Sequence, residues 1–287
     1  MSRASELEKQ AIQITTVQDL TGVFESLAST QVAKVKNKAQ LSKDFFQLLW
    51  RRYSAIRIDP KKQIVNRSTG DGNQKRAFIV ISAEAGLSGD IDQRLIGEMV
   101  KNYDQKTTDI IVLGSHGAQQ LSQRGMSYSK FFKVPESDEY IDVTPIIQAV
   151  LPYDKIVVYY EEYVSLGVQN IRSIDLISRL KTLSEDSDED DVITADQTIF
   201  EPSLDEIADE MEITMMTLAL NETILESSLA QAASRFNAMA IAKKRAGELV
   251  DSFTMDFHRA KRADSDRRLR EVLIALKKKR HTQGASS

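Results

Sequence analysis

The chain contains no cysteine, so disulfides, thiolate metal sites and cysteine nucleophiles are excluded. It has only five prolines: Pro60, Pro135, Pro145, Pro152 and Pro202. Proline breaks helix interiors, so the stretches before Pro60 and after Pro202 are open to continuous helix. Glycine is nearly as scarce there. Gly22 alone falls within residues 5–58, and Gly247 alone between Pro202 and Gly284. No apolar run approaches the roughly 18 residues of a membrane span. The opening residues, MSRASELEKQ, lack the apolar stretch of a signal peptide, and their glutamates argue against a transit peptide. An excess of one charge is also lacking: 38 basic against 42 acidic residues leave a net charge of -4, which gives no general affinity for nucleic acid. The three histidines, His116, His258 and His281, stand far apart without metal-ligand spacing. What remains is 287 residues, 41% hydrophobic and 28% charged, enough for one large or two modest soluble domains.

The strongest pattern is at the C-terminal end. Leu204, Met211, Leu218, Leu225, Ala232, Met239, Ala246, Phe253 and Ala260 recur every seven residues. A second series, Ala208, Met215, Glu222, Leu229, Phe236, Lys243, Val250, Phe257 and Asp264, follows each by four. This is a coiled-coil seam. A helix over 204–276 spans about 105 Å at about 1.5 Å per residue, so it needs a partner along its length. Residues 5–58 supply one. Their apolar positions Ile12, Val17, Leu20, Phe24, Leu27, Val35, Leu41, Phe45, Leu48 and Leu49 recur mainly at steps of three and four, which predicts one long helix or two nearly continuous ones, ending before Pro60 and pairing antiparallel with the first.

The middle differs in kind. Residues 59–75 are polar and glycine-bearing and read as a linker. Short β-branched runs at Ala77–Ser82, Asp109–Leu113 and Lys155–Tyr160 read as strands, with Gln169–Leu180 as a fourth. Between them lie helical segments at Ile91–Tyr103, Ala118–Arg124 and Ile141–Leu151, the last with Pro145 near its first turn. The alternation predicts a mostly parallel, Rossmann-like α/β domain inserted between two long terminal helices that form an antiparallel coiled coil. The expected division is 1–58 helix, 59–75 linker, 76–183 α/β domain, 184–199 acidic loop and 200–287 helix with a basic tail. In the acidic run SEDSDEDDVITAD, the glycine and terminal glutamate of a calcium-binding loop are missing. Ser203, with Glu206 three residues on, forms a capping box for the last helix.

Sites for chemistry are few. Gly86-Leu-Ser-Gly89-Asp90 follows a strand and precedes a helix, where α/β proteins bind phosphate. It lacks a third glycine and a P-loop lysine, and Asp90 and Asp92 put negative charge at the helix start. The glycines Gly86, Gly89, Gly114 and Gly117 are therefore expected to make structural turns. His116 stands alone without a nucleophile beside it, and Tyr159, Tyr160 and Tyr163 read as sheet residues. The basic end, with Arg267, Arg268, Arg270 and Lys277–Arg280, suits a helix C-terminus better than nucleic acid, since no aromatics interleave.

In several places the residues resemble the gamma subunit of F-type ATP synthases, the central rotor stalk. VISAEAGLSGDID at Val80–Asp92 is similar to the family's strand and glycine turn, and Leu113-Gly-Ser-His-Gly117 to its Gly-Arg-Lys-Gly turn. Phe200-Glu-Pro-Ser203 resembles its Tyr-Glu-Pro-Ser entry to the last helices. Leu225–Met239, with Ala246-Gly-Glu-Leu249 and Phe257-His-Arg-Ala260 after it, resembles the family's C-terminal signature. The sequence departs from it at Lys261–Asp266, where Arg262 replaces a glutamine and Ser265 and Asp266 an Ile-Thr pair. It departs again in the poorly matching residues 18–33 and the KKKRHTQGASS ending.

The resemblance implies a shaft with an α/β foot. The shaft would turn inside a ring of three alpha-like and three beta-like subunits, and the foot would meet an epsilon-like subunit and a membrane c-ring. It implies a non-catalytic chain without cofactors of its own, ATP and magnesium being bound by the ring. The expected place is the cytoplasmic face of a bacterial plasma membrane. Lys34, Arg235, Asn237, Met239, Lys261 and Arg262 are the expected contacts with the ring. Other roles consistent with the residues are the stalk of an F1-like ATPase that only hydrolyses ATP, a stand-alone nucleotide-dependent α/β enzyme, and a passive coiled-coil tether.

Overall fold

The computed structural model describes residues 3–55, 75–134, 142–176 and 204–284. The linker apart from its last residue, the acidic loop, the Phe200–Ser203 entry and the side chains of Lys277–Arg280 lie outside the described residues. The long helices are α1, Arg3–Ala55, and α5, Leu204–Gly284. Between them come β1 (Arg76–Ile81), α2 (Ile91–Lys101), β2 (Thr108–Leu113), α3 (Ser115–Gln123), β3 (Lys130–Phe132), α4 (Thr144–Val150), β4 (Lys155–Ser165) and β5 (Val168–Asp175). The expected helix over Ile141–Leu151 is shorter than its pattern, starting at Thr144 with Pro145 in its first turn. β3 has no counterpart among the expected strands.

The chain divides into two compact units, Ser26–Ala238 and Met1–Glu25 with Met239–Ser287. The first holds the sheet, in the order β3-β2-β1-β4-β5. β1 runs parallel to β2 and β4, β2 runs parallel to β3, and β5 returns antiparallel along β4. Burial on both faces explains why β1 reads as a continuous apolar run. On one face Ile79, Ile81, Ile111, Leu113, Val158 and Tyr160 pack with α4 and with Met215, Met216, Ala219, Leu220 and Ile224 of α5. On the other, Phe78, Val80, Ile110, Val112 and Tyr159 pack with Leu95, Ile96 and Met99 of α2 and Ala118 and Leu121 of α3. The last helix is therefore a structural layer of the α/β domain over its first turns.

The second unit pairs the start of α1 with the later part of α5. Lys243 Nζ meets Glu25 Oε2 at 2.9 Å. The Lys243 stem lies 3.5 Å from where a Cβ on Gly22 would stand, and Gln18 lies against Gly247. Pairs 18 with 247 and 22 with 243 make the helices antiparallel. On α5 the expected seam is the covered face except at Lys243, which is exposed: Met239 and Ala246 are buried, and Val250, Phe253, Phe257, Ala260 and Asp264 are half-buried.

On α1 the covered face is not the expected one. Its seam residues in this unit are Ala4, Leu7, Ala11, Ile14, Gln18, Thr21 and Glu25, at alternating steps of three and four. The bulkier Ile12, Val17, Leu20, Phe24 and Leu27 are exposed. Leu7 and Ile14 are the only large aliphatic residues of the covered set; the others are small or polar. Most of the bulk of this seam comes from α5, through Met239, Phe253 and Phe257. Large-against-small packing keeps interior density without overfilling. Ile12→Gln and Leu27→Gln are accordingly expected to change unfolding free energy by no more than about 0.5 kcal/mol. Ala28→Leu, at a position only 1% exposed, is expected to cost about 1–3 kcal/mol. Urea unfolding of the three variants measures both expectations.

Candidate functional site

In open α/β sheets the ligand crevice lies outside the carboxyl ends of the strands, where the strand order reverses. Here that point falls between β1, which is followed by β2 on one side, and β4 on the other. The crevice is filled by α5. Ser227 Oγ lies 3.4 Å from the Ile81 carbonyl at the end of β1 and 2.5 Å from Oε2 of Glu161 on β4. One turn on, Gln231 Nε2 donates to the same Glu161 oxygen at 2.8 Å. Ser234 Oγ donates to the Ser88 carbonyl at 2.6 Å. Arg235 donates from Nε to the Gly86 carbonyl at 3.2 Å and from Nη2 to the Ala85 carbonyl at 3.1 Å. The loop after β1 is thus a saddle of carbonyls for the last helix.

The saddle is held by two carboxyl groups of the domain itself. Asp92, with no exposed surface, accepts from the Ala83 N–H at 2.9 Å and from Ser88 Oγ at 3.1 Å. It also stands 2.8 Å from Nδ1 of His116. Glu84 accepts from the Ser115 N–H at 3.1 Å, the Ser115 hydroxyl and the Val134 N–H, which caps α3. Where nucleotide-binding α/β proteins offer backbone donors to phosphate, the Ala83 and Ser115 N–H groups are engaged here by internal carboxylates. A cavity of 140 Å³ remains, lined by Gln31, Glu84, Ala85, Val134, Ser228, Gln231 and Arg235. That is below the roughly 300–1,000 Å³ of small-molecule pockets.

The turns need their glycines unequally. Gly89 has φ +73° and faces Ala238 and Ser234 of α5. Gly114, with φ +94°, lies tight on the Ser82 and Ala83 backbone, and Gly117 on the Ser82 side chain. Ser82 Oγ accepts from the Gly117 N–H at 2.9 Å and donates to the Leu113 carbonyl at 2.8 Å. Gly86 has open space at its missing side chain, and its carbonyl holds Arg235. Leu87 completes the turn with φ +68°, a left-handed conformation that a branched residue adopts at a cost.

Of the other expected ring contacts, Asn237 donates to the Leu166 carbonyl in the β4–β5 turn, and Met239 is buried. Lys34 and Arg262 are exposed. Lys261 is exposed, with its amine 5.6 Å from the centre of the Phe257 ring on its own helix. The structure therefore brings Arg235 together with Gly86, and leaves Lys34, Lys261 and Arg262 on the surface.

Sequence reasoning did not single out Glu84, Glu161, Ser227 or Gln231. One signal was available: Glu161-Glu162 lies within a strand, and strand alternation sends adjacent side chains to opposite faces. Glu161 is fully buried, while Glu162 pairs with Arg172 at 2.9 Å at the surface.

Comparison with known proteins bears on what such a helix grip serves. A family model described as ATP synthase matches residues 3–275. The ATP synthase gamma chain of Halothermothrix orenii is 22% identical over 287 residues, spanning 95% of this chain and 98% of that relative. The ATP synthase gamma chain of Pelagibacter ubique is 23% identical with the same coverage. Two solved structures share the fold. One is the rotor of the Euglena gracilis mitochondrial ATP synthase, with TM-score 0.62, 11% identity and 91% and 98% of the two chains covered. The other is the central stalk and c-ring assembly of the Tetrahymena thermophila mitochondrial enzyme, with TM-score 0.59, 16% identity and 78% and 99% covered.

Proposed function

The chain belongs to the ATP synthase gamma-chain family, and on that premise we propose how it works as the central stalk of the rotary enzyme. It is a non-catalytic subunit of an F-type ATP synthase. Nucleotide chemistry belongs to the alpha- and beta-like partners that surround the stalk; this chain carries no nucleotide or magnesium ion of its own. Isothermal calorimetry of the isolated chain with ATP and magnesium is expected to give no heat of binding.

The observation that carries the reading is that one helix serves both parts of the job. Residues 215–238 of α5 are gripped by the sheet and its saddle, and residues 239–264 form the seam with α1. No proline interrupts them. Twist applied to the α/β domain therefore passes along a single covalent, hydrogen-bonded helix. The paired helices carry different side chains on their outer faces, Ile12, Asp19 and Leu20 on α1 and Ile241, Lys244, Glu248 and Met255 on α5. Rotation presents each site of a ring of three alpha-like and three beta-like subunits with a different face in turn, and the sites cycle through tight, loose and open states.

Lys34, Lys261 and Arg262, the exposed members of the six expected contacts, meet the ring. Arg235 and Asn237 brace the helix against its own α/β domain. That domain docks on an epsilon-like subunit and the c-ring of the membrane sector. No helix among the described residues is long and apolar enough to cross a membrane, and the subunit is peripheral, placed at the cytoplasmic face of a bacterial plasma membrane.

The test is reconstitution. Assembled with its cognate subunits in vesicles, the complex is expected to make ATP from an imposed ion gradient and to lose that synthesis when this chain is omitted. ATP hydrolysis without gradient-driven synthesis would instead identify a hydrolysis-only motor.

A further inference from the structure

Glu161 is the only acidic residue that joins the sheet directly to the last helix among the described hydrogen bonds, and its surroundings suit an acid better than an anion. The residue has no exposed surface. Its Oε1 is buried without a hydrogen-bond partner among the described residues. A lone carboxylate oxygen in such a place is far more costly than a lone carbonyl.

The groups facing it come from every element around. α5 offers Ser227 and Gln231, and Ser227 in turn reaches the Ile81 carbonyl of β1. From α2 comes the Asp92 carboxylate, a like charge, which stands 2.8 Å from Nδ1 of His116 on α3. On its own strand, Glu162 is engaged by Arg172 and Asn170. No cation offsets a negative charge on Glu161 among the groups acting on it.

The acid also lets both acceptors near Ser227 be served. Ser227 has one proton and two acceptors within reach, Glu161 Oε2 at 2.5 Å and the Ile81 carbonyl at 3.4 Å. If Glu161 carries a proton on Oε2, it donates to Ser227, and Ser227 is free to donate to Ile81. The chain then runs in one direction from β4 through α5 to β1.

We propose that a protonated Glu161 is the clamp by which the sheet holds the last helix, and that loss of this proton loosens the helix at Ser227 and Gln231. Burial, with the Asp92 charge adding to it, raises the Glu161 pKa from 4.5 to about 8, so the change falls within the range a cell compartment visits. The clamp is a property of the chain alone and is tested on the isolated full chain, independently of its role as a stalk.

The sign follows from proton counting. Between about pH 4.5 and about pH 8 the folded chain binds a proton that the unfolded chain has lost. Its folding constant therefore falls about tenfold per pH unit over that range and levels off above it. In Glu161→Gln the amide imitates the neutral acid and does not titrate. Urea unfolding across this range is expected to show the unaltered chain losing stability relative to E161Q with that slope. Hydrogen exchange, corrected for intrinsic rates, is expected to show protection at residues 223–231 falling with pH in the unaltered chain and constant in E161Q. Parallel pH profiles for the two chains would overturn the proposal, as would a titration that leaves protection at 223–231 unchanged. Should E161Q fail to fold, carbon NMR of the glutamate carboxyls in the unaltered chain decides. One carboxyl titrating well above the usual range supports the clamp, and all titrating below about pH 6 overturns it.

Discussion

Gly114→Ala is expected to abolish the folded chain. A Cβ at this position would stand 2.2 Å from the Ser82 carbonyl oxygen, 2.8 Å from its carbon and 2.9 Å from the Ala83 carbonyl oxygen. All three are backbone atoms, so no side chain can turn aside. Two further facts prevent the turn from moving. Its φ of +94° is outside the range an alanine adopts without strain, and the Gly114 N–H is tied to the Phe132 carbonyl at 3.0 Å. Relief would have to come from the ends of β1 and β2, the centre of the sheet. A cost above about 4–5 kcal/mol against a total stability of about 5–15 kcal/mol leaves little or no native protein. The control is Gly97→Ala. Gly97 lies inside α2 with no atom near its missing side chain, and alanine there is expected to stabilise by about 0.5–1 kcal/mol. Circular dichroism melts of the two variants should move in opposite directions.

The second large effect belongs to Asp92. Asp92→Ala is expected to cost about 3–5 kcal/mol, the usual result of removing one partner from a buried charged network. The Ala83 N–H, the Ser88 hydroxyl and His116 Nδ1 all converge on this one carboxylate. Ser88 is also the residue whose carbonyl receives Ser234 of α5. The loss should therefore spread from the loop to the helix it carries. Asp92→Asn retains an oxygen for the Ala83 N–H but turns a donor toward Ser88 or His116, so it should fall between the alanine variant and the unaltered chain. Urea unfolding gives the size, and hydrogen exchange at residues 231–238 shows whether the saddle transmits it. A destabilisation confined to residues 83–92 would mean that the loop and the helix are held separately.

Most of the architecture is legible because it rests on period and on breakers. The β-branched runs of β1, β2 and β4 and the proline-free ends announce strands and long helices directly. β3 escapes, since Lys130–Phe132 is three residues long and too short for any period. The face of α1 escapes for a different reason. Ile12, Leu20 and Leu27 sit at helical spacing, and so do Ala4, Ala11, Thr21 and Ala28. Hydrophobicity alone selects the bulkier set. The covered set is chosen by volume, because α5 already fills much of the seam with Met239, Phe253 and Phe257. Pairwise fit of this kind is not written in either helix alone.

The grip on α5 escapes more completely. Ser227 and Gln231 lie within the Leu225–Met239 stretch that resembles the family signature, but nothing in the sequence joins them to Glu161, and their meeting depends on the strand order that places β4 beside β1. For Arg235 the resemblance to a family implies a ring contact, and the fold adds what the sequence did not announce, two carbonyls of the chain's own loop to hold.

The central claim is that this chain turns. Its lack of cysteine permits a direct test, because a single Lys106→Cys on an exposed loop of the α/β domain gives one unique attachment point. The complex with the cognate alpha- and beta-like subunits is fixed to a surface by the ring, a probe is attached at position 106, and ATP is added. The account predicts continuous rotation of the probe in one direction, stopping when ATP is exhausted. Full ATP hydrolysis by the same complexes with a probe that stays still, or wanders without direction, would contradict it.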